Sequence, residues 1–176
     1  MGATMGTIAA ADLSPLEGWT AIERGDGRTN RSFVSGEPDG DRLRCAYFRA
    51  ADGTMTGRVW FGRGAEGPPG HAHGGSQAAV LDEVMGGNCW LQGHKVLAAQ
   101  ITIDFRKPLP LGTSAVIHTG VERVEGRKVW AFARICDLDG EVFSEGRGLF
   151  IVMKDALLKV IFEAAEEDGL ATPDAY

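Results

Sequence analysis

An apolar segment with helical character separates two groups of strand-like segments, and it constrains the fold more than any other feature. It spans residues 75–86, GSQAAVLDEVMG, and its apolar residues surround nearly the whole circumference of a helix: Ala78, Ala79, Val80, Leu81, Val84 and Met85. A helix that is apolar all round is a buried helix. The Gly86-Gly87 pair predicts its end after about three turns. We therefore expect one central helix, buried against a sheet that the rest of the chain forms.

The segments on both sides of this helix are typical of antiparallel strands. RLRCAYFRA and TMTGRVWFG precede it and are joined by Asp52-Gly53, a strong hairpin signal. VLAAQITIDFR, SAVIHTGVERV, KVWAFARICD and EVFSEGRGLFIVM follow it, with hairpin turns predicted at Glu125-Gly126 and Asp139-Gly140. The sequence therefore predicts an α+β fold, in which a curved antiparallel sheet of about six strands wraps around the helix.

The first strand after the helix alternates strictly between apolar and polar positions. One face carries Leu97, Ala99, Ile101, Ile103 and Phe105, and the other is mostly polar. Period-2 alternation of this kind predicts a strand with one buried side.

The length of 176 residues fits one domain, and we divide the chain at residue 40. Residues 1–40 are rich in Gly, Ser, Pro and charge, which predicts a loosely ordered N-terminal lead-in. Residues 41–176 are predicted to form the folded domain. That domain ends in a surface helix over residues 155–168, with an apolar stripe of Leu157, Leu158, Ile161, Phe162 and Ala165.

Charge and composition exclude several classes of function. The formal net charge of −6 argues against non-specific nucleic-acid binding, which needs a basic surface. No apolar run approaches the ~20 residues that span a bilayer, and the N-terminus makes a poor signal peptide. The three cysteines are widely spaced and predict no disulfide framework. We therefore expect a cytoplasmic protein that binds neither nucleic acid nor membrane.

Two adjacent carboxylates, Asp82 and Glu83, interrupt the apolar helix. They lie about 100° apart around the helix axis, so at most one faces a given site. Burying an ionised group is costly without a partner or a function. The alternative is that both reach solvent, or pair with a cation at an interface.

The start of the helix, His73-Gly74-Gly75, is a second candidate. Two glycines allow a sharp turn, and the first amides of a helix have no partner within it. Such amides suit a carbonyl oxygen that gains negative charge during a reaction. The alternative is a simple glycine turn before a helix.

Taken together, these features imply a site shared between two copies of the chain. Asp82 lies eight residues after Gly74, which is about 12 Å along a helix, whereas both groups must act within ~3 Å of one reacting carbon. If both are catalytic, Asp82 comes from a second copy, and a two-fold axis between antiparallel helices creates two composite sites at once. A homodimer follows, and the exposed face of the sheet is the expected interface if two dimers associate.

The motif GPPGHAHGGSQAAVLDEVMG at residues 67–86 resembles that of the hot-dog-fold acyl-CoA thioesterases, in the branch with phenylacetyl-CoA-type enzymes. The resemblance extends from residue 42 to 153 and includes ITIDFRKPLPLG and GRKVWAFARICDLDGEVFSEGRGLFIV. It implies the hot-dog fold and hydrolysis of an acyl-CoA thioester without a cofactor. Asp82 would be the general base or nucleophile, the Gly74 N–H would polarise the carbonyl, and His73 would shape the turn.

The chain departs from that family at two positions. Many relatives carry Asn or Gln where Gly67 stands, and Ser or Thr where the nearest match is Ala98. His71 is a candidate replacement for the missing amide. These departures leave open a non-catalytic acyl-CoA-binding protein and, further from the motif, a hot-dog dehydratase or hydratase.

Basic residues at strand ends are candidates for holding the phosphates of coenzyme A, unless they are simply solvated charges. The candidate substrate-binding residues, including one helix-start glycine, are Gly75, Arg106, Lys107, Arg127 and Lys128. His71 and His73 form a His-x-His pair, but a metal site needs three or four ligands. His94 and His118 have no motif spacing to that pair, so we expect no metal.

Overall fold

The computed structural model describes residues 8–22 and 32–167. Parts of the predicted N-terminal lead-in, residues 1–7 and 23–31, lie outside the described residues, as does Asp168, the last residue of the predicted C-terminal helix. The elements in chain order are β1 (Thr20–Ala21), β2 (Leu43–Arg49), β3 (Met55–Phe61), α1 (Gly74–Leu91), β4 (Val96–Phe105), β5 (Ser114–Glu125), β6 (Lys128–Cys136), β7 (Val142–Val152) and α2 (Asp155–Glu167). No helix within these ranges is long and apolar enough to cross a membrane.

All strands of the described ranges join one sheet, in the order β1-β2-β3-β5-β6-β7-β4, and every neighbouring pair is antiparallel. The three predicted hairpins are confirmed, and Gly53, Gly126 and Gly140 each adopt the positive φ that favours glycine. Helix α1 contacts strands β3 to β7, and its residues Val80, Leu81, Val84 and Met85 are fully buried. The predicted α+β architecture, a sheet around one central helix, is therefore confirmed.

The prediction that the central helix ends at Gly86-Gly87 is wrong. Helix α1 continues to Leu91, and Gln92 and Gly93 terminate it, the latter with φ of 87°. Both glycines are helical where α1 packs against the sheet, Gly87 fully buried and Gly86 partly so. A Cβ on Gly86 would lie 3.6 Å from the Phe150 ring, and Gly87 is buried. Tertiary packing here outweighs the low helix propensity of glycine.

The expectation of a buried face on the first strand after the helix is not met within one chain. Strand β4 lies at the edge of the sheet, and the alternation is interrupted by a bulge between Ala98 and Gln100. The exposed fractions of Leu97, Ile101 and Phe105 are 50%, 37% and 55%. The period-2 pattern is real, but the described chain covers this face only in part, since Ile103 alone of its large side chains packs against the core.

The N-terminal residues cover part of the sheet face that points away from α1. Trp60 donates from Nε1 to the Ala9 carbonyl at 2.9 Å, and the buried Arg58 guanidinium donates to the carbonyls of Ser14 and Ser114 at 3.2 Å. The backbone N–H of Asp12 donates to the Ser114 hydroxyl at 2.9 Å. Residues 9–14 therefore cross β3 and β5, which leaves less of this face available to a second interface.

Helix α2 follows β7 and packs against the end of α1. Its Phe162 ring meets Trp90 edge-on, with 6.2 Å between ring centroids. Leu157 and Ile161 of the predicted apolar stripe remain 45% and 38% exposed. The side chain of Ala165 lies outside the described residues.

Candidate active site

The loop that leads into α1 is held in place by backbone hydrogen bonds. Three of its backbone N–H groups donate hydrogen bonds to backbone carbonyls at 2.8–2.9 Å. The pairs are His71 to Pro68, Ala72 to Leu109 and His73 to Ala65. Gly67 packs directly under His73, since a Cβ at Gly67 would lie 2.7 Å from the His73 Cα. A side chain at position 67 would therefore displace His73.

His73 is the N-cap of α1, and it decides which amide remains open. Its Nδ1 accepts a hydrogen bond from the Gly75 N–H at 2.8 Å, and its carbonyl accepts one from the Ser76 hydroxyl at 2.7 Å. The Gly75 N–H is thus engaged in the turn, whereas the Gly74 N–H meets no acceptor among the described residues. Of the two predicted glycine amides, the structure leaves that of Gly74 open to a ligand.

A cleft of about 310 Å³ lies at this end of the helix. It brings together Gly74, Arg106 and Lys107 from the predicted site. His71, whose Nδ1 lies 2.9 Å from the Pro69 carbonyl oxygen, also lines it. The remaining lining residues are Pro68, Ala72, Gln77, Phe105 and Pro108. The Phe105 ring lies directly beside Gly74. A Cβ added to Gly74 would be 3.0 Å from the Phe105 Cζ.

The cations at the cleft are already paired with carboxylates. Arg106 donates to Glu145 Oε1 from Nη2 at 2.6 Å and from Nε at 3.0 Å, and Lys107 pairs with Glu141. These contacts raise the pKa of Arg106 and lower the pKa of Glu145, in each case chiefly through the hydrogen bond between the two. An anion that binds Arg106 or Lys107 therefore has to compete with Glu145 or Glu141.

The second predicted basic pair lies elsewhere. Arg127 sits in the turn between β5 and β6 and donates from Nε to the Val152 carbonyl at 2.9 Å. Lys128 on β6 pairs with Ile151 on β7, and Ile151 pairs in turn with Leu97 on β4. Leu97 is eight residues from Phe105, about 26 Å along an extended strand. Within one chain, the structure does not bring Arg127 and Lys128 to the cleft.

The two adjacent carboxylates on α1 have different surroundings. Glu83 accepts hydrogen bonds from the Tyr47 and Ser32 hydroxyls, both at 2.8 Å, so it links the helix to its own chain. Asp82 is half-buried and has no hydrogen-bond partner among the described residues. Burial raises the pKa of Asp82, and the nearby charge of Glu83 raises it further. Asp82 does not line the cleft that contains Gly74.

Sequence reasoning missed one polar residue of the cleft, Gln77. It is 4% exposed, and its Oε1 has no hydrogen-bond partner in the part of the chain that the structure describes. The sequence could have indicated Gln77, because it is a neutral amide directly before a helical run of Ala, Val and Leu. Buried polar groups are normally paired, which makes this one informative.

The fold is the hot-dog fold, and the resemblance drawn from the motif is confirmed, since the chain is similar to thioesterase superfamily proteins in both sequence and structure. Residues 69–144 match the family model described as Thioesterase superfamily. A crystallised thioesterase superfamily protein has a TM-score of 0.59 at 31% identity, over 61% of this chain and 53% of that chain. The E. coli PaaI protein of the phenylacetic acid degradation operon has a TM-score of 0.53, over 55% of this chain and 74% of its own; at 18% identity it shows the fold alone.

The curated relatives are acyl-coenzyme A thioesterases. THEM4 of Xenopus laevis is 34% identical over 108 residues, 61% of this chain and 49% of that protein. THEM4 of Bos taurus is 32% identical over 121 residues, 68% of this chain and 50% of that protein. The chain therefore spans about half the length of the curated relatives it matches.

Proposed function

We propose that this protein hydrolyses an acyl-CoA thioester to a carboxylic acid and free CoA. The observation that carries the proposal is the open Gly74 amide at the N-terminus of a buried helix, in a cleft, with a half-buried carboxylate further along the same helix. The names of the THEM4 relatives support the reaction class. Solved neighbours from Bacillus halodurans and Streptococcus pneumoniae that were crystallised with CoA support the ligand.

The reaction follows from the chemistry of these two groups. The Gly74 N–H holds the thioester oxygen, where negative charge develops in the transition state. As a general base, ionised Asp82 takes a proton from the water that attacks the carbonyl carbon; the C–S bond then breaks and the sulfur leaves with that proton as the thiol of CoA. As a nucleophile, Asp82 attacks the carbon itself and forms a mixed anhydride, and the thiolate leaves and takes a proton from water. A water molecule then hydrolyses the anhydride, which releases the acid and restores Asp82.

We propose that the two groups meet across a homodimer. They are about 12 Å apart along α1, and Asp82 does not line its own chain's cleft. Strand β4 offers a free edge with exposed apolar side chains, and an edge of this kind invites pairing with another chain. A two-fold axis beside this strand brings two α1 helices together in opposite directions.

The direct test is a panel of acyl-CoA thioesters with the purified protein and a thiol reagent. Release of CoA thiol supports the proposal. The alternative, an acyl-CoA-binding protein without activity, is favoured by Gly67 and Ala98, which place no side chain able to orient a thioester or water. Binding in calorimetry with no release of thiol for any member of the panel would establish that alternative.

The pH dependence of kcat/KM is expected to report the raised pKa of Asp82. The base form is lost as the pH falls through the pKa, so activity should decline at a higher pH than an ordinary aspartate with a pKa of 3.8 would require. Glu83→Gln removes the neighbouring negative charge that helps to raise the pKa of Asp82. We therefore expect the acidic limb of the kcat/KM profile to move to lower pH. Glu125→Gln, at the exposed far end of β5, is the matched control and should leave the profile unchanged.

Mixing two inactive variants tests the shared site. Co-expression of Gly74→Val with Asp82→Asn yields heterodimers with one intact and one doubly altered site, if each site takes these residues from different chains. Random pairing makes half of the dimers mixed, so activity should recover to about a quarter of the wild-type value. If activity does not recover although mixed dimers are isolated by two affinity tags, the two groups do not act across the interface.

A further inference from the structure

Gln77 is a buried amide at the cleft whose hydrogen bonds are incomplete. Its side chain is 4% exposed and lines the cleft, yet Oε1 has no partner in the described ranges. Its Nε2 donates to the Ala72 carbonyl at 3.4 Å, which is long for a hydrogen bond. An unpaired buried acceptor costs free energy that an apolar residue of the same shape would avoid.

The position of Gln77 relative to Gly74 limits what it can bind. Gln77 lies three residues further along α1, a rise of about 4.5 Å. Gly74 presents a hydrogen-bond donor to the cleft, and Gln77 carries an acceptor. The pair therefore fits a ligand with a carbonyl oxygen and an N–H group at a comparable spacing.

An acyl-CoA has such a pair of groups next to its reactive bond. The sulfur and two methylene groups separate the thioester carbonyl from the nearest amide N–H of the pantetheine arm. With the thioester oxygen at the Gly74 amide, an arm that follows α1 brings this N–H towards Gln77. Rotation about the last side-chain torsion turns Oε1 towards the arm, since that torsion is broad and the bond to Ala72 is long.

We propose that Gln77 is a substrate-binding residue whose Oε1 accepts a hydrogen bond from the pantetheine amide nearest the thioester. The assignment rests on the proposed thioesterase function and names what the cleft recognises beyond the reacting carbonyl. It also gives the orphan oxygen its partner in the complex. Substrates with this amide are selected over thioesters that lack it.

The test compares two small thioesters that differ in one group. One is an acyl N-acetylcysteamine thioester, and the other replaces its amide N–H with an ester oxygen. We expect Gln77→Met to lower kcat/KM for the amide substrate about 10-fold and to leave kcat/KM for the ester analogue within about two-fold. Gln92→Met, at the other end of α1, is the matched control and should change neither value.

Two further measurements keep the assignment falsifiable. The melting temperature of Gln77→Met should equal or exceed that of the wild type, because an unpaired buried amide is replaced by an apolar side chain of similar volume. An equal loss on both substrates, or no loss on either, overturns the assignment. The proposed function is tested separately by the panel of acyl-CoA thioesters. If the wild type hydrolyses neither small compound, the assignment is decided by calorimetry with the matching non-hydrolysable ketones, for which Gln77→Met should weaken binding of the amide ligand only. Equal weakening of both ketones, or of neither, overturns the assignment.

Discussion

Asp82→Asn is expected to lower kcat for acyl-CoA hydrolysis about 100- to 10,000-fold, the range that a positioned general base contributes. The substitution keeps the shape of the side chain and removes only its capacity to take a proton or to attack. Steady-state release of CoA thiol measures the effect. Turnover by Asp82→Asn at the wild-type rate would remove this residue from the mechanism.

The same substitution should raise stability at neutral pH, which separates loss of function from loss of fold. Burial raises the pKa of Asp82 in the folded chain, so the ionised form disfavours folding once the pH exceeds that pKa. Asparagine carries no charge at any of these pH values. We therefore expect a higher melting temperature than wild type at pH 7, and a difference that shrinks as the pH falls through the raised pKa.

Glu83→Gln is the matched control for Asp82→Asn. Its carboxylate is held by the Tyr47 and Ser32 hydroxyls and faces its own chain, so its removal should change kcat only a few-fold at neutral pH. A loss as large as that of Asp82→Asn would show that the two adjacent carboxylates act together.

Gly74→Ala is expected to lower kcat about 100- to 1,000-fold, the loss typical of a disturbed oxyanion donor. A Cβ at this position would lie 3.0 Å from the Phe105 Cζ, so either the ring or the helix start must move. The measurement is kcat for an acyl-CoA that the wild type hydrolyses, with the dimer checked by gel filtration.

Gly86→Ala supplies the control for glycine replacement within the same helix. A Cβ at Gly86 would meet Phe150 at 3.6 Å, an ordinary contact distance, and alanine favours the helix. We expect activity near that of the wild type and equal or greater stability. If Gly74→Ala behaves in the same way, the Phe105 ring makes room for the Cβ without moving the amide, and the predicted loss is wrong.

Much of the fold was predictable because local signals agree with the final structure. Asp52-Gly53, Glu125-Gly126 and Asp139-Gly140 mark turns whose glycines need positive φ, and antiparallel pairing follows from such turns. The apolar residues of α1 predicted its burial against the sheet, and Val80, Leu81 and Val84 are fully buried there. The open Gly74 amide was predictable for a similar reason, since every helix start leaves amides unpaired.

Other features depend on what each residue packs against. Gly86 and Gly87 signal a helix end by propensity, but the Phe150 ring and the sheet hold them inside α1. On β4, Ile103 packs against the core while Leu97 and Phe105 stay exposed, because α1 covers only part of this edge strand, and alternation does not decide which part. Gln77 belongs to the cleft only because Phe105 and Pro108 are brought to the same helix turn.

The sequence alone determined which segments form strands and the central helix, and which residue types stand at the helix start, because these depend on neighbours a few positions away. The tertiary structure alone decided that the Gly74 amide faces a cleft, because Phe105 and Arg106 come to it from the end of β4. It also decided that Glu83 is held by its own chain while Asp82 is not. Hydrogen bonding and burial are set by residues far apart in the chain, and only the packed molecule brings those residues together.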